Sequence, residues 1–588
     1  MNIIGTHRSA AQRLRLQLSP RLGAGNFFWY AWRVATDRNR PIVFHDGTAA
    51  HALGSTQVEG YGGLSLNDMR LAIIRHAHWL RTQGTDAGDQ VGVQTRDGLL
   101  NLLHYIAITS IGAVPVHCNP HMPSDLAADY FLRTGIRVLV GDADLIDACR
   151  SSWKEDGLEE HGIVVADAQE LHAFAPKPPE PMPDFPHRHA DDDLVLISHS
   201  SGTTGRPKAP VFSHRSFFAG RWERLWAFPS LRSDRLLSVF PHSHSAGLAH
   251  LSMTVLLGLP TLLLDDVSGP SVARAINRFR PSMVFGFPHA LAGIPVEEVD
   301  PRAAHHIHTW CGMGDSSHES HIRPLIRLGS RIVGGERVPG SDYVDGLGSS
   351  EMGMVLFEQV HNAELGVHKR LVGRPSSVVE EAVVLADDGT ELPSGQVGRL
   401  GVRAPSVSPG YWDDPELTSR STVGGYFVTG DIVRCDDQGN WYHLDRVPDV
   451  ITTARGPVYS LPMEEVVLTR TASLDCAVIA VDDPAHADTS VPVALVLTGD
   501  DQAPDPGLLL EGCNEGLRAE GLAELHALIV ARDRDELPVG PTGKVLKRTL
   551  RERHRAVLSA DAPVGGAAVA RAGDRRGQAA DAIGGERS

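Results

Sequence analysis

LSLNDMRLAIIRHAHWLRTQ (Leu64–Gln83), followed a few residues later by QVGVQ (Gln90–Gln94), decides the fold class. In the first segment Leu66, Met69, Ile73, Ala77 and Leu80 recur at helical spacing; the second is a short strand-like run. The alternation continues through a helix at Leu99–Ser110, a strand at Ala113–Val116, a helix at Leu126–Thr134 and a strand at Val138–Gly141. Helices and strands taking turns imply an α/β domain with a mostly parallel sheet covered on its faces. A stretch rich in proline and charge between Pro176 and Pro186 marks a linker before the strand Leu194–Ile197. After about residue 375 the pattern changes: Ala382–Ala386 and Leu400–Val402 flank the turn Asp387-Asp388-Gly389 and read as a hairpin in a β-rich subdomain. Past Asp445 the elements shorten: a helix from Met463, strands at Ala477–Val481 and Val493–Leu497, a helix over Leu508–Glu520 and a strand at Ala527–Val530. This is the outline of a small α+β domain. From Ser559 onward the chain is mainly Ala, Gly, Asp and Arg and is expected to be a disordered tail.

At 588 residues the chain exceeds a single compact core, so at least two domains are expected. Apolar residues make up 42%, charged residues 22%, and the net charge is -17, an ordinary globular composition that disfavours phosphate-backbone binding and hence nucleic acid as a partner. Six cysteines stand singly, with no CxxC pair, which argues against a disulfide framework or a zinc ribbon and points to a reducing cytoplasm. No run of about 18 apolar residues suggests a membrane span, and the Arg-rich start lacks an apolar secretory core.

The segment Ser200-Ser201-Gly202-Thr203-Thr204-Gly205-Arg206-Pro207-Lys208 follows a buried-type strand and suits phosphate. Glycines let backbone N–H groups approach closely, hydroxyls add donors, and Lys208 supplies a point charge. It is not a Walker loop, because the GxxxxGK[ST] spacing is absent and Ala209 follows the lysine. Three other clusters point away from chemistry. His305-His306-Ile307-His308 has no spaced carboxylate or Cys partner, and adjacent strand residues would face opposite ways. Ser316 and Glu319 fit an N-capping box and read as a helix start. Ser243-His244-Ser245-Ala246-Gly247 fails the GxSxG elbow of a serine hydrolase.

Together with the phosphate loop, an ordered set of segments resembles the adenylate-forming superfamily of acyl-CoA synthetases, luciferases and peptide-synthetase adenylation domains. Asp345-Gly346-Leu347-Gly348-Ser349-Ser350-Glu351 resembles its adenine and magnesium motif. Gly425-Tyr426-Phe427-Val428-Thr429-Gly430-Asp431 resembles its ribose motif, and Pro538-Val539-Gly540-Pro541-Thr542-Gly543-Lys544 its catalytic lysine loop. Val372-Gly373-Arg374-Pro375 and Ser408-Pro409-Gly410-Tyr411-Trp412 are also similar to family segments. The resemblance covers residues 25 to 555. It implies a large adenylation domain over 1–445, its mostly parallel sheets joined to the β-rich subdomain. A small mobile C-terminal domain over 446–557 would carry Lys544, ahead of the tail 558–588.

What the resemblance implies chemically is an acid oxygen attacking the α-phosphate of ATP, with pyrophosphate released and the activated group passed to a second acceptor. Glu351 would hold Mg2+, since a hard carboxylate oxygen suits that ion. Asp431 would accept hydrogen bonds from the ribose hydroxyls, Arg446 would reach phosphate or ribose, and Lys544 would offset transition-state charge. ATP or AMP would contact Ser200, Ser201, Gly202, Thr203, Thr204, Gly205, Lys208, Gly346, Leu347, Gly348, Ser349 and Ser350. His242 and His244 would stand at the mouth of the acid pocket, with His244 gating it and Phe287, Cys311, Gly312, Met313 and Gly314 as walls. Small, sulfur and aromatic walls fit a small or aromatic acid. Between Pro241 and Leu248 no Asp occurs to hold an ammonium, which disfavours an α-amino acid.

Departures from the pattern bear on the acceptor. Leu347 stands where relatives carry a ring against adenine. Pro448 sits at the expected hinge, where a fixed φ restricts rotation. Gly456 fits the loop that approaches the pantetheine tunnel, with the spacing to Pro462 one residue long. The leading expectation is an acid–thiol ligase using CoA. Alternatives are an amine or a carrier-protein acceptor acting in trans, a diazotase activating nitrite, or a retired nucleotide-binding homologue; oligomeric state is not readable from the sequence.

Overall fold

The computed structural model describes residues 6–54, 56–155, 162–168, 182, 184–200, 206–228, 233–315, 317–366, 369–499, 505–540, 544–558 and 568–572. The helix of the opening motif runs Leu66–Thr82 and starts where the chain is told to start. Ser65 Oγ accepts from the Asp68 N–H at 3.2 Å and the Asp68 carboxylate accepts from the Ser65 N–H at 2.8 Å, a reciprocal capping box. The next helix, Gly98–Ser110, is capped by Asp97, which accepts from the Leu100 N–H at 2.9 Å, and is buried along its whole length between layers.

Around these helices the chain builds a seven-stranded sheet whose centre is parallel: Leu194–Ile197, Val114–His117, Gln90–Gln94, Val138–Gly141 and Val164–Asp167 lie side by side. Pro210–Ser213 and Gly410–Tyr411 extend it in antiparallel fashion. A second, larger sheet has its own parallel run through Pro41–His45, Thr261–Leu263, Leu236–Val239, Met283–Gly286, Thr309–Met313 and Asp342–Gly348. That sheet turns antiparallel at Val355–His361 and continues without a break through Leu371–Pro375, Trp441–Arg446, Tyr426–Cys435, Val397–Arg403 and Glu381–Leu385. The β-rich subdomain is thus hydrogen-bonded to the parallel sheet. Mixed α/β architecture with a sheet-rich N-terminal part and a smaller C-terminal α+β unit is as the sequence implies.

The C-terminal unit has two apolar clusters of its own, one around Met463, Val478 and Leu517 and one around Ile479, Leu495 and Leu550, on either face of a four-stranded sheet. Its fourth strand corrects the expected tail. Ala568–Arg571 pairs antiparallel with Ala527–Ala531, burying Ala570. Small side chains suffice at an edge, where main-chain hydrogen bonds supply the pairing. The remainder of the expected tail, 559–567 and 573–588, lies outside the described residues.

Two local expectations also change. The helix after Ser317 runs Glu319–Arg327 with His318 at its N-cap and no side-chain cap bond; Ser316 lies outside the described residues, and Glu319 is instead paired with Arg323 at 2.6 Å. His305 and His306 sit at the end of the short helix Pro301–Ala304 rather than on a strand, and His308 turns to Asp234 at 3.1 Å. Among the described residues no helix is long and apolar enough to cross a membrane.

Candidate active site

The candidate residues gather at the carboxyl ends of parallel strands, where loops leave a sheet and ligands of α/β proteins are held. Leu194–Ile197 delivers Ser200, Leu236–Val239 delivers His244, Met283–Gly286 delivers Phe287, Thr309–Met313 delivers Gly314 and Asp342–Gly348 delivers Glu351. The base of the phosphate loop is pinned by reciprocal main-chain hydrogen bonds between Ser200 and Lys208 at 3.1 and 3.0 Å. Lys208 Nζ stands 5.7 Å over the Tyr411 ring. Ser201, Gly202, Thr203, Thr204 and Gly205, at the tip of this loop, lie outside the described residues.

Glu351 is buried, and Ser200 Oγ donates to its Oε1 at 2.6 Å while Tyr411 OH donates to the same oxygen at 3.4 Å. Among the described residues both hydrogen bonds fall on Oε1, so Oε2 is left for a cation. A buried carboxylate with hydroxyl neighbours is a hard oxygen set, and it fits Mg2+. In the adenine segment, Leu347 lies opposite Phe357 in the strand register. Gly312 has a steric reason: a Cβ there would meet the Tyr343 OH at 1.9 Å, so only glycine admits that ring beside Ser317. Gly314 likewise lies under Phe287 with φ +91°, a left-handed conformation that suits glycine.

His244 is the N-cap of the helix Ser245–Leu257. Its Nδ1 accepts from the Ala246 N–H at 3.1 Å, so the proton resides on Nε2, which donates to Ser350 Oγ at 3.1 Å. Burial, with His199 and the Lys544 ammonium adding to it, pushes its pKa down to about 3. Phe287 meets the His244 ring edge-on at 5.3 Å, and His199 does so at 6.2 Å on another side. Cys311 and Met313 are buried on the neighbouring strand. His242 departs from its expected place at the pocket mouth. It is buried between Ser238 Oγ, at 3.1 Å, and Gly98, where any Cβ would collide with its ring. Two residues apart on this turn, the rings have different surroundings: His242 packs on Ser238 and Gly98, His244 on Ser350, Phe287 and His199.

Asp431 and Arg446 are directly opposite on adjacent antiparallel strands, with Arg446 Nε 3.0 Å from Asp431 Oδ1. Burial alone would raise the Asp431 pKa; the guanidinium and His443 outweigh it and hold the carboxyl well below the usual range. Pro448 lies in a single 3-10 turn, Val447–Asp449, between this strand and the C-terminal unit. On the far side Lys544 is half-buried and close enough to His244 for its charge to act on the imidazole.

Sequence reading passed over two groups. His199, immediately before the phosphate loop, is buried against His244; its position beside Ser200 was the available signal. The second is a junction between the two units: Glu465 accepts from His318 Nδ1 at 2.9 Å, from Arg370 Nη1 at 3.2 Å and from the Glu319 N–H at 3.2 Å. Its carboxyl is held down to about 2, because His318 and Arg370 overcome the effect of burial.

Glu351 with Ser200, His244 with Ser350, and a lysine brought in from a second unit come together, the residue set of an adenylate-forming enzyme. Residues 37–412 match the AMP-binding enzyme family, and the chain belongs to it. It is an ATP-dependent, AMP-forming ligase that activates an acid as its adenylate. It is 34% identical to a 3-aminoavenalumate diazotase of Streptomyces sp over 567 residues, covering 93% of this chain and 99% of that protein. It is 27% identical to a feruloyl-CoA synthase of Amycolatopsis sp over 540 residues, covering 89% of this chain and 98% of the relative. Its fold matches that of the anthranilate CoA ligase AuaEII in complex with anthranoyl-AMP, with TM-score 0.77 at 18% identity over 94% of this chain and 99% of that one.

Proposed function

We propose that this enzyme activates a small or aromatic acid at the His244 pocket and passes the activated group to a thiol such as CoA. The observation that carries the first half is the convergence on one cleft of Glu351 with Ser200, of the neutral His244 with Ser350, and of Lys544. Neutral imidazole suits an acid substrate. The Nε2–H, which Ser350 Oγ accepts in this structure, would turn to an acid oxygen when substrate binds, without neutralising the nucleophile by proton transfer, because the ring is a poor base when buried. Phe287, packed against the His244 ring and over Gly314, supports a small or aromatic acid. Glu351 Oε2 would hold Mg2+, which supplies neutralisation of phosphate charge as pyrophosphate departs. Lys544 offsets charge building between the acid oxygen and the α-phosphate, and Asp431, held ionised, takes the ribose hydroxyls. The unit over 446–557 then turns at the Val447–Asp449 segment, through bonds other than the fixed φ of Pro448, to admit the acceptor. Feruloyl-CoA synthase among the relatives supports CoA as that acceptor. Six free cysteines, five of them buried, support a reducing cytoplasm.

A second reading of the same site is favoured by the diazotase, which aligns at higher identity than the feruloyl-CoA synthase and over nearly its whole length. There the activated acid is nitrous acid. A nitrite oxygen attacks the α-phosphate, pyrophosphate leaves, and an aryl amine attacks the nitrogen of the mixed anhydride with loss of AMP. The N-nitroso product loses water to become the diazonium ion. Small pocket walls and polar His199 and His244 are compatible with so small an acid.

The deciding measurement is pyrophosphate release from ATP and magnesium over a panel of short acids, aryl acids and nitrite, with CoA or an aryl amine added. Release with a carboxylic acid, accelerated by CoA and yielding a thioester, upholds the acid–thiol reading. Release with nitrite alone, coupled to loss of the amine, moves the assignment to diazotisation. No release with any acid overturns both.

A further inference from the structure

The segment that carries the chain from Asp184 into the strand Leu194–Ile197 holds a group of side chains that adenylation does not use. His187, His189 and Asp193 each place one ligand-type atom within 4.8 Å of the others. His187 Nε2 is 3.6 Å and His189 Nδ1 3.8 Å from Asp193 Oδ2. Both distances are too long for hydrogen bonds. They approach the spacing of about 3.3 Å that two ligand atoms take around a tetrahedral ion with bonds of roughly 2.0–2.1 Å.

The tautomer of His189 makes the arrangement pointed. Its Nε2 is 2.9 Å from the Thr109 carbonyl oxygen and so donates a proton there, which leaves a bare lone pair on Nδ1. That nitrogen faces the Asp193 carboxylate, in a side chain only 1% exposed, and has no hydrogen-bond partner among the described residues. Two acceptors facing each other repel; a cation between them removes the conflict.

The surroundings fix the ligands as a second layer fixes those of a metal centre. Asp193 Oδ2 accepts from the Ala190 N–H at 2.9 Å, the His187 N–H donates to the Ser110 carbonyl at 2.8 Å, and the His214 ring stacks on His189 at 4.9 Å and 12°. Gly25 leaves room for that stack, since a Cβ there would strike the His189 ring. His187 and Asp193 are partly exposed, so an ion has a way in and a fourth ligand position is open to water.

We propose that His187, His189 and Asp193 bind one divalent transition-metal ion of the zinc class, clamping the segment that leads into the phosphate-loop strand against the end of the helix Gly98–Ser110. Two imidazoles and a carboxylate are the ligand set that favours such an ion over magnesium or calcium.

The test uses the full chain without a polyhistidine tag, stripped with a chelator and titrated with Zn2+ by calorimetry, alongside metal analysis after gel filtration. The expected result is one tight equivalent per chain and a higher melting temperature with zinc. His187→Ala and Asp193→Asn, each at a partly exposed position, should weaken binding by at least about 10-fold while leaving the metal-free melting temperature unchanged. No stoichiometric binding by the unaltered chain overturns the proposal, and so does binding that is equally tight in both variants. Because these readouts do not involve turnover, they are independent of the acid and the acceptor.

Discussion

His244 and His318 are both buried imidazoles bordering the cleft between the two units, and they titrate in opposite directions because of what faces them. His244 looks at His199, Phe287, Ser350 and a lysine, and burial drives it neutral. For His318 burial works the same way, yet the Glu465 carboxylate 2.9 Å from Nδ1, with Glu464 at 3.8 Å from Nε2, outweighs it and raises the pKa. The nearby Arg370 guanidinium opposes that rise without cancelling it. Burial therefore sets the default, and a carboxylate partner reverses it. The partners printed around the His244 ring are neutral or cationic, whereas the His318 ring is tied by two carboxylates.

The largest break in this contrast is Lys544→Ala. Loss of a preorganised cation at the reacting centre costs roughly 100 to 1,000-fold in adenylation. Use of a supplied acyl-AMP should fall far less, because the α-phosphate has already been attacked. The same substitution removes a charge that helps keep His244 neutral, so the His244 resonance followed by NMR should titrate at higher pH. Equal loss in both half-reactions would remove Lys544 from the assigned role.

Glu465→Ala should come next, since it would make His318 resemble His244. Removing one partner of a buried pair leaves the others uncompensated, a penalty of about 3 kcal/mol. It falls on the docked arrangement that presents Lys544. Pyrophosphate exchange by the full chain should drop by roughly 100-fold while its affinity for ATP changes far less. An unchanged exchange rate would mean that Glu465 does not hold the docked state.

A smaller effect follows from pH. The His318 pKa is raised above 6.5 in the folded protein, so the stability its charge contributes is complete below 6.5 and is lost as pH rises through the raised value. Glu465 behaves oppositely: its contribution is complete above 4.5 and fades only as pH falls toward about 2. Between these limits the junction is tight. Adenylation should decline by a few-fold above the raised His318 pKa, and His318→Gln should flatten that decline.

The two histidines differ equally in how visible they were before folding. Strands Gln90–Gln94, Val138–Gly141 and Leu194–Ile197 were legible to the residue because each is a short apolar run bounded by turn residues, a purely local signal. His244 was legible because it lies in a contiguous family-like segment. The Glu465 junction was not, because its partners His318 and Arg370 come from distant stretches and none is apolar or periodic. His242 was misplaced for a related reason: sequence puts it two residues from His244, and only the turn decides that it faces Ser238 and Gly98. Ala568–Arg571 escaped notice since its pairing is made by main-chain atoms that every sequence carries.

The finest test of the neutral pocket is Ser350→Ala. Ser350 Oγ is the acceptor for the His244 Nε2–H at 3.1 Å, whereas Nδ1 remains occupied by the Ala246 N–H. Without the hydroxyl, the Nε2–H is left for the acid alone, and the two states differ by about one hydrogen bond, roughly 1 kcal/mol or a few-fold. If His244 serves the acid, the KM for acid should shift by that factor while the KM for ATP stays fixed. If instead the KM for ATP moves and that for acid does not, the pair belongs to the nucleotide, and the neutral imidazole is a support for the Ser349–Glu351 turn rather than a substrate contact.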